Sequence, residues 1–315
     1  MINFDYNNIT LLPRFSTIES RSNCDTSTKL GNFKFKSPVI PANMESVINE
    51  ELAQKLAEQN YFYILHRFNV DVVSFIKTMK DLNLVSSISI GVNEESYKLI
   101  DELLEKELIP DFITIDIAHG HSLKLKKMVK YVKSKMSSVF VIGGNVCTES
   151  AILDLEEWGC DAIKCGIGGG SACTTYHNTG FGNRGWQAKM VNNCSKIAKV
   201  PIIADGSIKE HSDIVKSLVL GATMVMIGGM LAGYNESPGH IVENDGKTFK
   251  TFWGSASSSQ SGKNNRIEGI ELLVPYHNKS IFTKLTEIEE SLQSAMSYGG
   301  VKSIADLIIV DYVII

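Results

Sequence analysis

The sequence Asp161-Ala-Ile-Lys-Cys-Gly-Ile-Gly-Gly-Gly-Ser-Ala-Cys-Thr-Thr175 joins a short apolar strand to a glycine-rich loop. The strand is predicted over 162–165, and the glycines that follow can adopt backbone angles that are closed to other residues. Their bare N–H groups suit an anion and their carbonyls suit a cation. Cys173 stands on this loop among hydroxyl side chains, and a cysteine in such a setting is a candidate nucleophile.

The other five cysteines are predicted to be small buried side chains, as most cysteines are. They are Cys24, Cys147, Cys160, Cys165 and Cys194. Cys173 differs because it lies outside the strand in a polar, glycine-rich setting. On these residues alone, a catalytic role and a structural role for Cys173 both stay open.

Working outward, the chain alternates short apolar runs with amphipathic stretches. Eight runs are predicted to be strands buried on both faces: 39–44, 61–65, 85–90, 112–117, 139–142, 162–165, 201–204 and 224–227. Helices are predicted between them, for example over 50–59, 72–82, 95–107, 123–135, 149–158 and 212–220. This alternation predicts an α/β fold, a single (β/α)8 TIM barrel of one domain over 1–315.

Two connections are too long to be simple turns. One is a catalytic loop after strand six, over 166–186, and the other is a flap after strand eight, over 231–280, before a last helix at 282–298. Connections of this length commonly form functional lids. We therefore expect the flap to cover the active face.

Composition limits the function classes. The 315 residues are 43% hydrophobic and carry a net charge of −4, which gives no indication of a nucleic-acid partner. No apolar run approaches the ~20 residues that a membrane span needs, and the first residues lack a targeting pattern. Six scattered cysteines without paired Cys-x-x-Cys spacing favour a reducing compartment. We expect a cytoplasmic protein with no membrane partner.

Polar residues collect where the predicted strands end, which is where barrels of this type carry their chemistry. Asp205-Gly206-Ser207 and Gly228-Gly229 follow strands seven and eight, whose loops commonly bind phosphate. A phosphorylated ligand is therefore expected. Asp116 also ends a strand, although an aspartate there can simply cap the next helix.

Two further motifs have a structural interpretation. His119 and His121 have the spacing of a metal pair, but no carboxylate or histidine set completes a site at neighbouring strand ends. Gly246-Lys247-Thr248 resembles the end of a phosphate loop, but Ile241 occupies the position of its first glycine. Asp245-Gly246 instead predicts a hairpin turn.

With the barrel in place, the motifs resemble those of the IMP dehydrogenase and GMP reductase family. The loop around Cys173 resembles its catalytic loop, Asp205-Gly206 its ribose loop, and Met226-Ile-Gly-Gly-Met230 its phosphate loop. Further similarity at 20–22, 41–44, 115–121 and 291–298 extends over essentially the whole chain. The reductase branch fits better, because no regulatory insert follows strand two. In addition, Arg266-Ile-Glu-Gly269 offers a glutamate where the dehydrogenase branch has an Arg-Tyr pair.

The resemblance implies NADPH-dependent reductive deamination of GMP to IMP and ammonia, by a homotetramer. Cys173 would form a covalent bond with the purine, while Thr175 and Glu268 would relay a proton to the leaving amine. The implied substrate-binding residues are Ser171, Asp205, Gly206, Ser207, Gly228, Gly229, Gly254, Ser255, Arg266 and Gly269. The implied cofactor-binding residues are Ser20 and Arg21, from a neighbouring subunit, and Arg67, Asp116, Ile117, Ala118, Ile167 and Gly168. Backbone carbonyls of Gly168, Gly170 and Cys173 would hold a monovalent cation such as potassium.

Three departures from the family pattern stand out, and two alternative functions stay open. Gly169 replaces a usual proline, Ser207 replaces a usual second glycine, and Asn183-Arg184 is unusual in the catalytic loop. The alternatives are an IMP dehydrogenase that makes XMP with NAD, and a non-catalytic purine-nucleotide-binding protein.

Overall fold

A curled parallel sheet surrounded by helices forms the centre of the protein. The computed structural model describes residues 3–257 and 268–315. In chain order the strands are β1 (Ile9–Leu11), β2 (Thr28–Leu30), β3 (Phe33–Phe35), β4 (Val39–Pro41), β5 (Ser87–Ile90), β6 (Phe112–Asp116), β7 (Phe140–Val146), β8 (Ala162–Cys165), β9 (Ile202–Asp205), β10 (Met224–Ile227), β11 (Ile241–Asn244), β12 (Lys247–Trp253), β13 (Glu271–Pro275) and β14 (Tyr312–Ile314). Seven of them pair in parallel in the order β4-β10-β9-β8-β7-β6-β5. The predicted α/β barrel class is confirmed.

Ten helices connect and cover these strands in the described part of the chain. They are α1 (Glu50–Glu58), α2 (Val72–Asp81), α3 (Glu94–Glu105), α4 (Leu123–Lys135), α5 (Glu149–Trp158), α6 (Thr175–Thr179), α7 (Gln187–Ile197), α8 (His211–Val219), α9 (Gly229–Ala232) and α10 (Ile281–Gly299). Polar side chains fix several of the starts. For example, the Asn49 side chain accepts the Leu52 N–H at 2.9 Å, which caps α1. None of the helices in the described ranges is long and apolar enough to cross a membrane.

The second predicted strand, 61–65, differs from the prediction. It makes one parallel bridge, between Leu65 and Ile88 of β5, and no longer ladder. The reason is a side chain: the Tyr63 hydroxyl donates to the Val85 carbonyl at 2.7 Å and accepts the Ser87 N–H at 3.2 Å. A phenol thus takes the place of backbone partners. The segment is fully buried and lies beside β5, so it takes the place of the one strand of the predicted eight that is absent from the seven-stranded ladder.

The barrel interior is filled by apolar side chains from most of the strands. Ile40, Ile142, Ile203 and Met224 belong to one buried cluster with Phe62 and Ile64 of the irregular segment. The hairpin β2–β3 contributes Leu30 and Phe35 to the same cluster. The ring centroids of Phe62 and Phe112 are 4.9 Å apart. Each such buried side chain contributes roughly 1.5–3 kcal/mol, so the interior is a packed core that supports the strand ends.

The long connection after β10 is not without regular structure. It contains α9 and a three-stranded antiparallel sheet, β11-β12-β13. Asn244 pairs with Lys247, so Asp245-Gly246 is a two-residue turn, and the predicted hairpin is confirmed. Residues 258–267, which belong to the predicted flap, lie outside the described residues. The single-domain boundary of 1–315 stays a prediction.

Candidate active site

A cleft opens at the carboxyl ends of the barrel strands, between the glycine-rich loop and the flap. Its cavity of about 310 Å³ is large enough for a small-molecule ligand. Residues in or just after the carboxyl-terminal ends of β4, β6, β7, β8, β9 and β10 line it, together with residues of the flap. Predicted site residues that line it are Arg67, Asp116, Ile117, Ala118, Ile167, Gly168, Gly170, Ser171, Cys173, Thr175, Asp205, Gly206, Ser207, Gly228, Gly229, Gly254, Ser255 and Glu268.

The glycine-rich loop leaves β8 through a residue that must be glycine. Gly166 has a φ of +145°, and a Cβ there would lie 1.7 Å from the carbonyl oxygen of Asp205. No side chain fits between the ends of β8 and β9 at this point. The close approach brings the catalytic loop directly beside the predicted ribose and phosphate loop.

The candidate nucleophile belongs to a line of three polar side chains. The Cys173 thiol donates to the Thr175 hydroxyl at 3.3 Å, and that hydroxyl donates to a Glu268 carboxylate oxygen at 2.6 Å. Both hydrogen bonds are donated in the same direction, away from the thiol and toward the carboxylate. A proton can therefore leave the thiol along this line, and a proton on the carboxylate can return along it.

The flap reaches the catalytic loop through backbone contacts. The Thr174 N–H donates to the Glu268 carbonyl at 2.9 Å, and the Ile270 N–H donates to the Ala172 carbonyl at 3.0 Å. Cys173 and Gly269 form an antiparallel bridge between these bonds. Glu268 is thus held against Thr175 by main-chain hydrogen bonds as well as by its own side chain.

The remaining thiols are in different surroundings. Cys24, Cys160, Cys165 and Cys194 are buried, as predicted, whereas Cys147 is half-buried. Burial raises the pKa of Cys160 to about 12, and also raises the pKa of Cys24 and of Cys147. These thiols stay protonated at neutral pH and are poor nucleophiles.

A buried ionic cluster lies under the floor of the cleft. The Lys164 ammonium is 3.0 Å from a carboxylate oxygen of Asp116 and 2.9 Å from one of Asp205. Asn43 donates to Asp116 at 2.8 Å, and Asn145 donates to Asp205 at 2.8 Å. The two carboxylates therefore have fixed positions on opposite sides of one cation.

The predicted phosphate side is formed by three loops that touch one another. The Ser207 N–H donates to the Gly169 carbonyl at 3.0 Å. A Cβ built on Gly229 would lie 3.5 Å from the Ser171 hydroxyl, and one built on Gly228 would lie 3.4 Å from the ring of Phe252 on β12. Hydroxyls and bare backbone thus face the same end of the cleft, beneath the flap.

Of the predicted residues that the structure describes, Ser20, Arg21 and Gly269 do not line this cleft. Ser20 and Arg21 lie near α10, where the Arg21 guanidinium is 5.9 Å from the centre of the Tyr298 ring. Arg266 lies outside the described residues. Gly269 does not line the cavity but bridges to Cys173, as described above.

The sequence analysis did not identify Lys164 or Asn183 as functional residues. The position of Lys164 could have indicated a role, because a lysine inside an otherwise apolar strand must find a counter-charge. Asn183 was noted only as unusual. It is fully buried, its side-chain oxygen accepts the Ile167 N–H at 2.5 Å, and its own N–H donates to the Ile167 carbonyl at 3.0 Å.

Asn183 also contacts Gln187, whose side chain donates to the Cys165 carbonyl at 3.3 Å and the Asp205 carbonyl at 3.2 Å. The two amides connect the far end of the catalytic loop to its beginning.

The histidine pair noted in the sequence does not form a metal site. His121 pairs with Asp154 at 2.6 Å, and within 3–257 and 268–315 no cluster of three His, Cys, Asp or Glu side chains could hold a metal ion.

The chain is similar over nearly its whole length to proteins of known family. The family model of the IMP dehydrogenase / GMP reductase domain matches residues 3–312. A protein named GMP reductase from Albidiferax ferrireducens is 52% identical over 98% of this chain and 95% of its own length. Proteins of the same name from Lactobacillus delbrueckii subsp. bulgaricus and Mesoplasma florum are each 50% identical, over 99% and 100% of this chain and 94% and 98% of their own.

Proposed function

The chain belongs to the IMP dehydrogenase / GMP reductase family, and we propose that it reduces GMP to IMP and ammonia with NADPH. The observation that supports this reaction best is the line from the Cys173 thiol through Thr175 to the Glu268 carboxylate. A reductive deamination needs a nucleophile at C2 of the purine and a proton for the departing amine. One thiol, one hydroxyl and one carboxylate in series offer both.

In the first half of the reaction, the sulfur of Cys173 bonds to C2 of guanine and the bond from C2 to the amino nitrogen breaks. The proton that Cys173 gives up passes to Thr175, whose hydroxyl passes its own proton to Glu268. The same line then returns a proton to the amine, which leaves as ammonia with the electron pair of its bond to C2. One proton is taken up from the thiol and one is delivered, so the step balances.

In the second half, NADPH bound in the cleft would supply a hydride to C2. Cys173 would leave with the electron pair of its bond to carbon, IMP would be released, and the thiolate would take up one proton from water before the next turnover. Six residues that line the cleft would hold the nicotinamide and its ribose: Arg67, Asp116, Ile117, Ala118, Ile167 and Gly168. Their mixture of a cation, a carboxylate and apolar groups fits a nucleoside with a flat aromatic ring.

On the substrate side, the carboxylate of Asp205 would accept hydrogen bonds from the ribose hydroxyls. Gly206, Ser207, Gly228 and Gly229 would bind the phosphate through backbone N–H groups and the serine hydroxyl. Gly254, Ser255 and Gly269 would close over the base, with Ser171 beneath, and Arg266 would complete this set from the part of the flap that is not described. We propose that 166–186 and 231–280 act as the catalytic loop and the flap of one barrel domain.

The carbonyls of Gly168, Gly170 and Cys173 fit a monovalent cation such as potassium. They are neutral oxygens of one glycine-rich turn, and the Gly170 carbonyl already accepts the Cys173 N–H at 3.1 Å, which keeps the turn tight. A large cation of single charge suits such oxygens, whereas Ca²⁺ and Mg²⁺ sites use carboxylates. Its part would be to stiffen the turn that carries the nucleophile.

We propose that the protein works as a homotetramer in the cytoplasm. Ser20 and Arg21 lie away from the cleft of their own chain and could reach a cofactor only in another copy. Phe15 and Phe181 are 92% and 78% exposed, which is unusual for large apolar side chains and suits a subunit interface. Mixed oligomers of Cys173→Ala and Arg21→Ala subunits should regain activity that neither variant has, and no recovery would contradict a shared cofactor site.

One assay tests the proposed reaction. Purified protein is incubated with GMP and NADPH, and cofactor oxidation and ammonia release are followed together. We expect the two in equal amounts, with a higher kcat/KM for NADPH than for NADH, because Arg21 can pair with a 2′-phosphate. XMP formation from IMP and NAD would show a dehydrogenase instead, and binding of GMP without turnover would show a non-catalytic protein.

A further inference from the structure

Lys164 is a buried cation in the uppermost inner layer of the barrel, and no step proposed above uses it. Only 4% of its side-chain surface is exposed. Its ammonium contacts Asp116 at 3.0 Å, Asp205 at 2.9 Å and the sulfur of Met226 at 3.8 Å. One cation thus touches both carboxylates that line the floor of the cleft.

The strand register explains how one lysine reaches carboxylates on two different strands, β6 and β9. Asp116 of β6 pairs with Gly144 of β7, and Gly144 pairs with Lys164 of β8. Gly144 has no side chain to separate the other two, and a Cβ there would lie only 2.7 Å from that of Lys164. On the other side, Asp205 ends β9, the strand that pairs with β8. The ammonium therefore lies between β6 and β9 across an opening that Gly144 provides.

A buried ion pair is a costly way to stabilise a core. Apolar side chains of similar volume are often as stable or more stable, whereas loss of one partner leaves an uncompensated charge. Retaining an ammonium here makes physical sense if the two carboxylates are themselves needed at the cleft. Asp116 lines the proposed cofactor side of the cleft, and Asp205 lines the proposed ribose side.

We infer that Lys164 is a positioning residue that holds the carboxylates of Asp116 and Asp205 in place, and so links the cofactor side of the cleft to the substrate side. This inference rests on the proposed function for the assignment of the two sides. Lys164 lines the bottom of the cavity, where its ammonium contacts the two carboxylates. It would act through these carboxylates, which would accept hydrogen bonds from ribose hydroxyls.

The surrounding charges agree with this role. Burial alone would lower the pKa of Lys164, but the carboxylates of Asp116 and Asp205 outweigh it and raise that pKa above its usual value. Burial alone would raise the pKa of Asp116, but the nearby ammonium and the Asn43 hydrogen bond leave it below its usual value.

Groups from each neighbouring strand face this cluster. β6 and β9 supply the carboxylates, and the ends of β4 and β7 supply the neutral amides of Asn43 and Asn145. β10 supplies the Met226 thioether. Arg67 adds a positive charge near Asp116. The pKa of the Cys165 thiol is raised by its contact with Cys194 and by burial, and to a smaller extent by the nearby Asp205 carboxylate.

The test replaces Lys164 with methionine, which keeps the volume and removes the charge. Without the cation, burial and mutual repulsion raise the pKa of at least one carboxylate. As the pH falls through that raised value, the carboxylate becomes protonated and no longer accepts hydrogen bonds. In Lys164→Met we expect KM for GMP and for NADPH to rise as the pH falls from 8 to 6, by up to about tenfold for each pH unit below the raised pKa. The native enzyme should show no such acid limb.

Lys250→Met is the matched control. Lys250 is also buried, but its ammonium donates to the carbonyls of Tyr234, Asn235 and Ser237 rather than to carboxylates. This variant should lose stability without gaining an acid limb. An equal rise in KM at every pH in Lys164→Met, or unchanged KM for either ligand, would overturn the inference.

A second measurement leaves Lys164 in place and needs no ligand. The free energy of unfolding is determined for Asp116→Asn, Asp205→Asn and the double variant. The double variant should lose more than the sum of the single losses, because each single variant leaves the ammonium one counter-ion and the double leaves none. Strict additivity would overturn the link. Failure of the proposed function would appear separately, as native protein that does not convert GMP.

Discussion

Replacing Glu268 with glutamine tests the proposed proton relay at its terminal acceptor. The Thr175 hydroxyl has one proton and donates it to Glu268 at 2.6 Å. Glutamine keeps the length and volume of the side chain, and its carbonyl oxygen can still accept that bond. The flap should therefore remain docked through the Thr174–Glu268 backbone hydrogen bond, whose donor and acceptor do not change.

What the substitution removes is a group that can take up and return a proton. General acid–base groups contribute about 10²–10⁴ in rate, which corresponds to roughly 3–5 kcal/mol in the barrier. The larger loss should fall on deamination, which uses the relay twice, to take the proton of Cys173 and to protonate the leaving amine. Formation of the covalent intermediate from IMP and NADP needs only the first of these transfers and should change less.

Single-turnover kinetics of the two half-reactions measure this difference. Glu243→Gln is a suitable control, because Glu243 is an exposed carboxylate on β11 of the same flap, and its loss changes the charge of the flap equally. Equal slowing of both half-reactions in Glu268→Gln would mean that the residue only helps to close the flap. An unchanged deamination rate would refute any catalytic role.

Three further predictions concern the catalytic loop. Cys173→Ala should abolish turnover and the purine adduct seen by mass spectrometry while GMP still binds, and an adduct on another cysteine would refute the assignment. Asn183→Ala should lower the free energy of unfolding by about 1–3 kcal/mol, because the Ile167 N–H is left without its buried acceptor; denaturant titration measures this loss, and a smaller effect would mean that the loop end is not fixed by this amide. Gly169→Ala should lower GMP affinity in the native background but much less in a Ser207→Gly background, and calorimetric titration of the four proteins should give a coupling energy of about 0.5–3 kcal/mol rather than additivity.

Most of the fold followed from the alternation of apolar runs and amphipathic helices. The exception, 61–65, has the same apolar composition as the true strands, so no periodicity could separate it from them. What distinguishes it is the Tyr63 hydroxyl, which occupies hydrogen-bonding positions that backbone groups would otherwise fill. Such a substitution depends on the distance between two segments, which is a tertiary property.

The site was predictable in unequal parts. Cys173 could be singled out by its glycine-rich surroundings, and Asp205 by its place at a strand end. Glu268 lies 93 residues from Thr175, and only the resemblance to a family connected the two. Lys164 could have been identified from strand periodicity. It lies two residues after Ala162 and so shares the inner face of an apolar strand with it, where its charge needs a counter-charge.

Gly169 and Ser207 show why separate departures from a family pattern cannot be interpreted one at a time. By sequence, the first is a glycine where the family usually has a proline, and the second is a serine where the family usually has a second glycine. In the fold they are neighbours: a Cβ on Gly169 would lie 2.8 Å from the Ser207 hydroxyl oxygen. The backbone φ of Gly169 is not positive, so a residue with a side chain could adopt it without strain. The neighbouring serine is therefore what excludes a larger residue at 169. The Ser207 side chain thus occupies the space that a side chain at 169 would need. Compared with the usual family pattern, the larger residue of this pair is at 207 rather than at 169, where the catalytic loop meets the phosphate loop. Because a bulky residue at either position fills the same gap, the loops can keep their spacing with the pair reversed, although neither change alone would preserve it.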